Sequence, residues 1–390
     1  MNLSLYNVLE RYDDYVPYVL LLVFLTLCIV KYVSVSDTKV ELRQGGKLYI
    51  TNFKFRYLFI YLFGYAVYIA FSLAKKIGAS GASDAYYYKY YFENYGQDLG
   101  LFMKESTFEP LYSLISHLFR LFTDNYSYML WFWYTLTFVL LIGFIKQLYM
   151  EKYSFLVILT MLTMLITQYN TLRMSISITI ALTSLFFMKN DKWIKALIVI
   201  LLAMGIQVSA FIMIPVWIVN YVLTKVTGFK KEKLIFFVLI GEILTIASTS
   251  LVSRIVLHSS KAAYLGESSL AIGMYSITFV VFILCLVKYD EIVAVNPINY
   301  YLINMMPICF ICIPLQYNIS IFYRMVLYFM PIILGIIPSI CVSYVSKETK
   351  VNVNGLAVII ITHFYILSRI VSFCLEEVPY VGRYYSAFIK

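Results

Sequence analysis

The sequence predicts an all-α polytopic membrane protein, and three observations carry that expectation. Hydrophobic residues make up 62% of the 390-residue chain and charged residues only 13%, with a mean hydropathy of +0.80. Soluble domains carry about 25% charged residues, so half that fraction leaves too little charge to wet a globular surface. Apolar runs of about 20 residues, the length that crosses a hydrocarbon core, recur along the chain. The basic residues fall in short loops between those runs. That is a topology signal, not a nucleic-acid patch, despite a net charge of +10.

In order, the runs lie near 15–33, 55–74, 126–148, 153–169, 172–188, 232–250, 271–288, 298–316, 325–345 and 355–373. The stretch 194–223 is too long for one crossing and contains Gly205, Gln207, Ser209 and Pro215. It is expected to be two short helices meeting near Gln207, where the chain turns back. The total is then about twelve crossings. Segment 110–122, PLYSLISHLFRLF, is too short to cross and reads as an amphipathic or re-entrant piece on the membrane face. The first run is long enough to stay as an anchor, and no cleavable signal peptide is expected. The whole chain, 1–390, reads as a single transmembrane domain with a large polar loop at 75–125 and a second at 251–270.

An outer N-terminus puts loops 34–54, 146–152, 189–195, 224–233, 288–297 and 346–354 inside. Those loops and their flanks hold 18 of the 31 basic residues, 16 of them Lys, as the positive-inside rule requires. The other 13 face outward, and seven of these are Arg: Arg11, Arg120, Arg173, Arg254, Arg324, Arg369 and Arg383. Topology needs only charge, whereas the planar fork of Arg binds phosphate oxygens in pairs. Outward arginines therefore point to a phosphorylated ligand, against the simpler reading of interfacial snorkelling. Arg173 and Arg324 lead, each at the outer end of a span, with Arg254 and Arg369 at comparable depth.

Asp84 and Glu109 bracket the large outer loop. Either could serve as a general base, or be a solvated or ion-paired loop charge. Tyr86, Tyr87, Tyr88, Tyr90 and Tyr91 form a dense run. Their apolar faces and polar tips suit sugar rings and suit an aromatic belt equally well. Three scattered histidines, His117, His258 and His363, make no metal site. No phosphate-binding glycine loop and no H-E-x-x-H is present, which argues against a nucleotide-driven pump or a zinc protease. Cys309 and Cys312 form a C-x-x-C with neither a second pair nor a histidine cluster, and packing is the expected role. Few charges lie within the spans, which argues against a proton-coupled transporter.

At these residues the chain resembles the EpsG/Wzy group of bacterial polysaccharide polymerases. The family carries a small-residue stretch, an Asp, spaced tyrosines, then a Glu before an amphipathic segment. Here these are GASDAYYYKYY with Asp84 and FEPLYSLIS with Glu109. A family "LRQ" helix corresponds to TLRMSISITIAL with Arg173, though Met174 replaces the usual Gln. The family's "FHxSA" break corresponds to GIQVSAF, with Gln207 where His is usual, and its "R…YF…P" helix start to YRMVLYFMP with Arg324, Tyr328 and Pro331.

The resemblance implies a GT-C-like architecture and an inverting, metal-independent glycosyltransferase in the bacterial inner membrane. It would act on polyprenyl-pyrophosphate-linked oligosaccharide at the outer leaflet, with no cofactor. Arg173, Arg324, Arg254 and Arg369 would then meet the pyrophosphate, and Tyr87, Tyr88 and Tyr328 the sugars. Asp84, Glu109 and Gln207 would form the catalytic set, although Gln cannot take a proton near neutral pH. Implied partners are membrane lipid and, in the same pathway, a chain-length regulator and a flippase. The same residues leave two alternatives, a lipid-linked oligosaccharide flippase and an O-antigen ligase or other lipid-donor glycosyltransferase.

Overall fold

The computed structural model describes residues 83–148, 172–226, 272–319 and 321–344, with single positions at 62, 65, 66, 69, 234, 235, 238, 239, 241 and 243. The expected spans 15–33, 153–169 and 355–373, the loop 251–270, and Arg254 and Arg369 lie outside the described residues, as do most of 55–74 and 232–250. Among the described residues the protein is helical, with no strand. These residues form two compact units, one holding 83–107 and Ser113–Ser175, the other Phe108–Tyr112 and 176–344.

In the first unit, the expected polar loop is itself helical. Helix α1 (Ser83–Tyr95) is followed by α2 (Leu99–Glu105), whose first turn is capped by the Asp98 carboxylate accepting from the Leu101 N–H at 3.0 Å. Helix α3 (Pro110–Phe122) follows. It sets His117 and Arg120 against the C-terminal end of α1, where orphan carbonyls need donors. The His117 Nδ1–H donates to the Gly96 carbonyl at 2.8 Å and Arg120 to the Glu93 carbonyl at 3.3 Å, while Arg120 also pairs with Asp124. A Cβ on Gly96 would come within 2.8 Å of Arg120 Cγ, so glycine permits this approach. The outward arginine at 120 thus closes a helix end.

Leu114, Leu118 and Leu121 repeat at three- and four-residue spacing on the exposed side of α3, with Ser113 and Ser116 buried, so the helix is amphipathic with its leucines outward. Helix α4 (Tyr126–Leu148) buries Met129, Leu130, Trp133, Tyr134, Phe138, Leu141 and Ile142 along one stripe. It packs against α1 through Tyr126 and Phe92, ring centroids 5.4 Å apart. The Tyr65 hydroxyl reaches Thr135 Oγ1 at 2.7 Å.

The second unit holds most of α5 (Leu172–Lys189), then α6 (Trp193–Ile206), a 3-10 turn (Val208–Ile212) and α7 (Met213–Tyr221), which widens into a π turn (Val222–Val226). The expected break falls at Gln207, whose backbone is extended at φ −151° and ψ 116°. The arms run back to back, since Trp217 Nε1–H donates to the Trp193 carbonyl at 3.0 Å and the Trp193 and Tyr221 rings lie 5.3 Å apart. Pro215 falls in the first turn of α7, where its missing N–H breaks no helical bond.

Helices α8 (Ile272–Val287), α9 (Tyr289–Val295), α10 (Ile298–Asn318), α11 (Ile321–Val326) and α12 (Met330–Tyr344) complete the unit. Helix α10 packs against α7, α8, α9, α11 and α12 and is apolar nearly all round, as a central helix must be. Its Cys309 and Cys312 are buried free thiols, in line with packing. Asn304 donates to Asn220 at 3.0 Å and ties α10 to α7 where no water competes. The span expected at 325–345 is interrupted at 327–329, because Pro331 opens α12 and cannot continue a helix from α11.

Among the described residues, three helical stretches are long and apolar enough to cross a membrane: Tyr126–Phe144, Leu172–Lys189 and Val208–Lys225. Within the second unit, Lys189, Lys192, Lys225 and Lys288 gather at the end where α6 begins and α7 finishes, while Gln207 and Arg324 lie at the opposite end. The lysine end is closed by Asp191, at φ 60°. Its N–H bonds the Met188 carbonyl and the Lys192 N–H bonds that of Phe187, the pattern that ends a helix on a left-handed residue. Asp tolerates this backbone, and its carboxylate accepts from Trp193 Nε1 at 2.6 Å and Lys225 Nζ at 2.7 Å.

The hydrogen bond from Lys225, followed by that from Trp193, holds the Asp191 carboxyl below its usual value. A carboxyl depressed on folding stabilises only while ionised, so the contribution is present above about pH 3.9 and lost as pH falls through the lower native value. Asp191→Asn keeps the backbone tolerance and is expected to melt below the wild type at neutral pH, with the gap closing through that acid window. Thermal unfolding of detergent-solubilised protein against pH measures this, and a pH-independent gap excludes the charge.

Candidate functional site

The break at Gln207 creates a local shortage. A new helical turn begins at Val208, and its first N–H groups have no partner along the chain. Glu109 supplies one, its Oε1 accepting from the Val208 N–H at 2.9 Å. Glu109 arrives on the Phe108–Tyr112 segment, which lies close because residue 205 is glycine: a Cβ there would sit 2.8 Å from the Leu111 Cβ. Gln207 is 6% exposed and its N–H bonds the Ala203 carbonyl at 2.9 Å.

Tyr328, from the turn between α11 and α12, is buried at 1% exposure beside this break. Its hydroxyl lies 2.8 Å from Ser177 Oγ and 3.4 Å from Ser209 Oγ. Ser177 in turn donates to the Ala203 carbonyl at 2.9 Å. One phenol thereby links α5, the end of α6, the 3-10 turn and the start of α12. Tyr328 is buried within the break, with its hydroxyl between the two serines. Helix α11, which carries the half-buried Arg324, packs on the 3-10 turn.

In the first unit Arg173 is half-buried at the start of α5, with its guanidinium carbon 5.2 Å from the centroid of the Tyr88 ring and over its face. Tyr88 is 5% exposed, so it too offers no open surface, whereas Tyr87 is 57% exposed and is flanked by exposed Tyr86 and Tyr90. The backbone sets position 84 in the first turn of α1, on the same helical face as Tyr88 one turn later.

A family model describing the EpsG family matches residues 59–381. The chain belongs to the EpsG family. No curated protein and no solved structure matches it. Membership assigns this EpsG protein to polysaccharide synthesis, in a polymerase-type class, and its apolar helices fit a membrane protein.

Sequence reasoning did not find the partners that the break recruits. Ser177 is an unremarked serine in an apolar helix, and Gly205 an isolated glycine. Their importance comes from neighbours more than 90 residues away along the chain for Gly205 and 151 for Ser177. An Arg and a Tyr separated by most of the first unit likewise give no local signal of stacking.

Two variants test the geometry of the break. Tyr328→Phe removes the shared hydroxyl and is expected to lower stability by about 1 kcal/mol, read as a lower melting temperature. Glu109→Gln keeps an acceptor for the Val208 N–H, whereas Glu109→Ala removes it at a cost of about 0.5–1.5 kcal/mol. Hydrogen exchange at the 208–212 amides should therefore accelerate in Glu109→Ala and stay near wild type in Glu109→Gln.

Proposed function

We propose that this EpsG-family protein polymerises oligosaccharide repeat units carried on polyprenyl pyrophosphate, at the outer leaflet of the bacterial cytoplasmic membrane. The observation that carries the reading is the family match over residues 59–381. The separation of lysines from Gln207 and Arg324 at opposite ends of the second unit supports a one-sided enzyme over a flippase, which must offer its cationic site to both faces.

The length of α6 supports a recessed site. Its 14 residues span about 20 Å at 1.5 Å per residue, against a hydrocarbon core of about 30 Å. With the lysine end at the inner interface, the break lies about 10 Å below the outer one. Irregular backbone at that depth is tolerated only where protein covers it or a polar cavity reaches it. The sugars enter that cavity and the lipid tails stay among the helices.

In the reaction, a hydroxyl of the incoming repeat unit attacks the anomeric carbon of the growing chain. The bond from that carbon to the pyrophosphate oxygen breaks, and the anomeric centre inverts. Arg173 and Arg324 meet the charge that develops on the departing pyrophosphate, with Arg254 and Arg369 as further clamps. Asp84 accepts the hydroxyl proton. Glu109, bound to the Val208 N–H, and Gln207 orient the acceptor. Tyr87, with Tyr86 and Tyr90, offers exposed rings to the glycan.

Arg173→Ala and Arg324→Ala are each expected to abolish long polymer and leave glycolipid bearing a single repeat unit. Normal chain lengths in both would remove these residues from the mechanism. Arg324→Lys should also be impaired, because an ammonium cannot make the bidentate contact. Deleting the gene and resolving surface polysaccharide on a gel separates the classes. One retained unit without a ladder marks a polymerase, loss of all units a flippase, and unligated polymer a ligase.

A further inference from the structure

The tyrosine run on α1 divides by helical phase. Tyr86, Tyr87 and Tyr90 point outward, while Tyr88 and Phe92 point into the first unit. Tyr88 is the residue over which the Arg173 guanidinium lies, at 5.2 Å. Arginine's long side chain has many rotamers, and holding one of them for a ligand is entropically costly. A buried aromatic face beneath the cation restricts that sampling and favours the charged side chain through the ring quadrupole. The interaction uses the face of the guanidinium, whereas pyrophosphate is recognised by its in-plane N–H groups. One arginine can therefore serve both at once. Tyr88 is also one turn along α1 from position 84, so a single helix carries the platform and the carboxylate.

We infer that Tyr88 is a positioning residue that holds Arg173 through a cation–π contact for pyrophosphate binding, and is not a sugar contact. This rests on the role given to Arg173 above. It separates the tyrosines into one that acts through an arginine and others that meet glycan directly.

The test is binding of farnesyl pyrophosphate to the purified full-length chain in nanodiscs, measured by calorimetry. Tyr88→Phe keeps the ring face and should bind within about twofold of wild type, while Tyr88→Leu should lose about three- to thirty-fold. Since Tyr88→Leu also changes packing, phenylalanines bearing one, two and three ring fluorines at position 88 supply the decisive series. They keep the ring's shape and progressively weaken its quadrupole, so affinity should fall with each fluorine. Flat affinity across that series, with Arg173→Ala still lowering it, overturns the positioning role alone. Undiminished binding by Arg173→Ala overturns both this inference and the pyrophosphate role of Arg173.

Discussion

The second unit depends on one constraint: a backbone broken inside an apolar helix pair must have its polar groups satisfied by the protein. The chain stops being helical at Gln207, and everything around that point answers the shortage. Glu109 takes the Val208 N–H. Tyr328 reaches Ser209 and Ser177, and Ser177 reaches back to the Ala203 carbonyl at the end of α6. Gly205 leaves room for the Phe108–Tyr112 segment to come close enough to deliver the carboxylate. In water each of these bonds would replace one to solvent and contribute little. The bonds of Ser177, Ser209 and Tyr328 are buried, where the alternative is an orphan polar group.

The same constraint explains why polar contacts gather at the Gln207 break. Helix α10 runs unbroken through Pro307 and Pro314 and buries most of its length among apolar neighbours. The interrupted hairpin draws in a carboxylate and hydroxyl groups as partners. The break between α11 and α12 repeats the pattern on a smaller scale. Pro331 prevents a continuous helix, and the resulting turn delivers Tyr328 to the hairpin. Fixed dipoles in a poorly hydrated site are also strong electrostatically, which suits charge separation in glycosyl transfer.

Arginine chemistry divides along similar lines. Arg120 closes the carbonyl end of α1 and pairs with Asp124, so its charge serves the fold. Arg173 lies over a buried tyrosine ring. By sequence both are outward arginines near apolar helices. Their neighbours separate them: one guanidinium meets a backbone carbonyl and a carboxylate, the other lies over a tyrosine ring.

The sequence by itself determined the helical class, the position of the hairpin break and the amphipathic character of 110–122. These are encoded locally: apolar runs must be long enough for lipid, and a Gly–Ile–Gln–Val–Ser stretch interrupts one of them. It also separated lysines from arginines, since charge type is visible without coordinates. Only the tertiary structure decided that Tyr88 and Tyr328 are interior supports while Tyr87 stays exposed, and that Glu109 caps a helix 99 residues further along. Those assignments come from helical phase and long-range packing. Five neighbouring tyrosines are chemically identical in sequence, and only the direction each takes from its helix tells a platform from a surface.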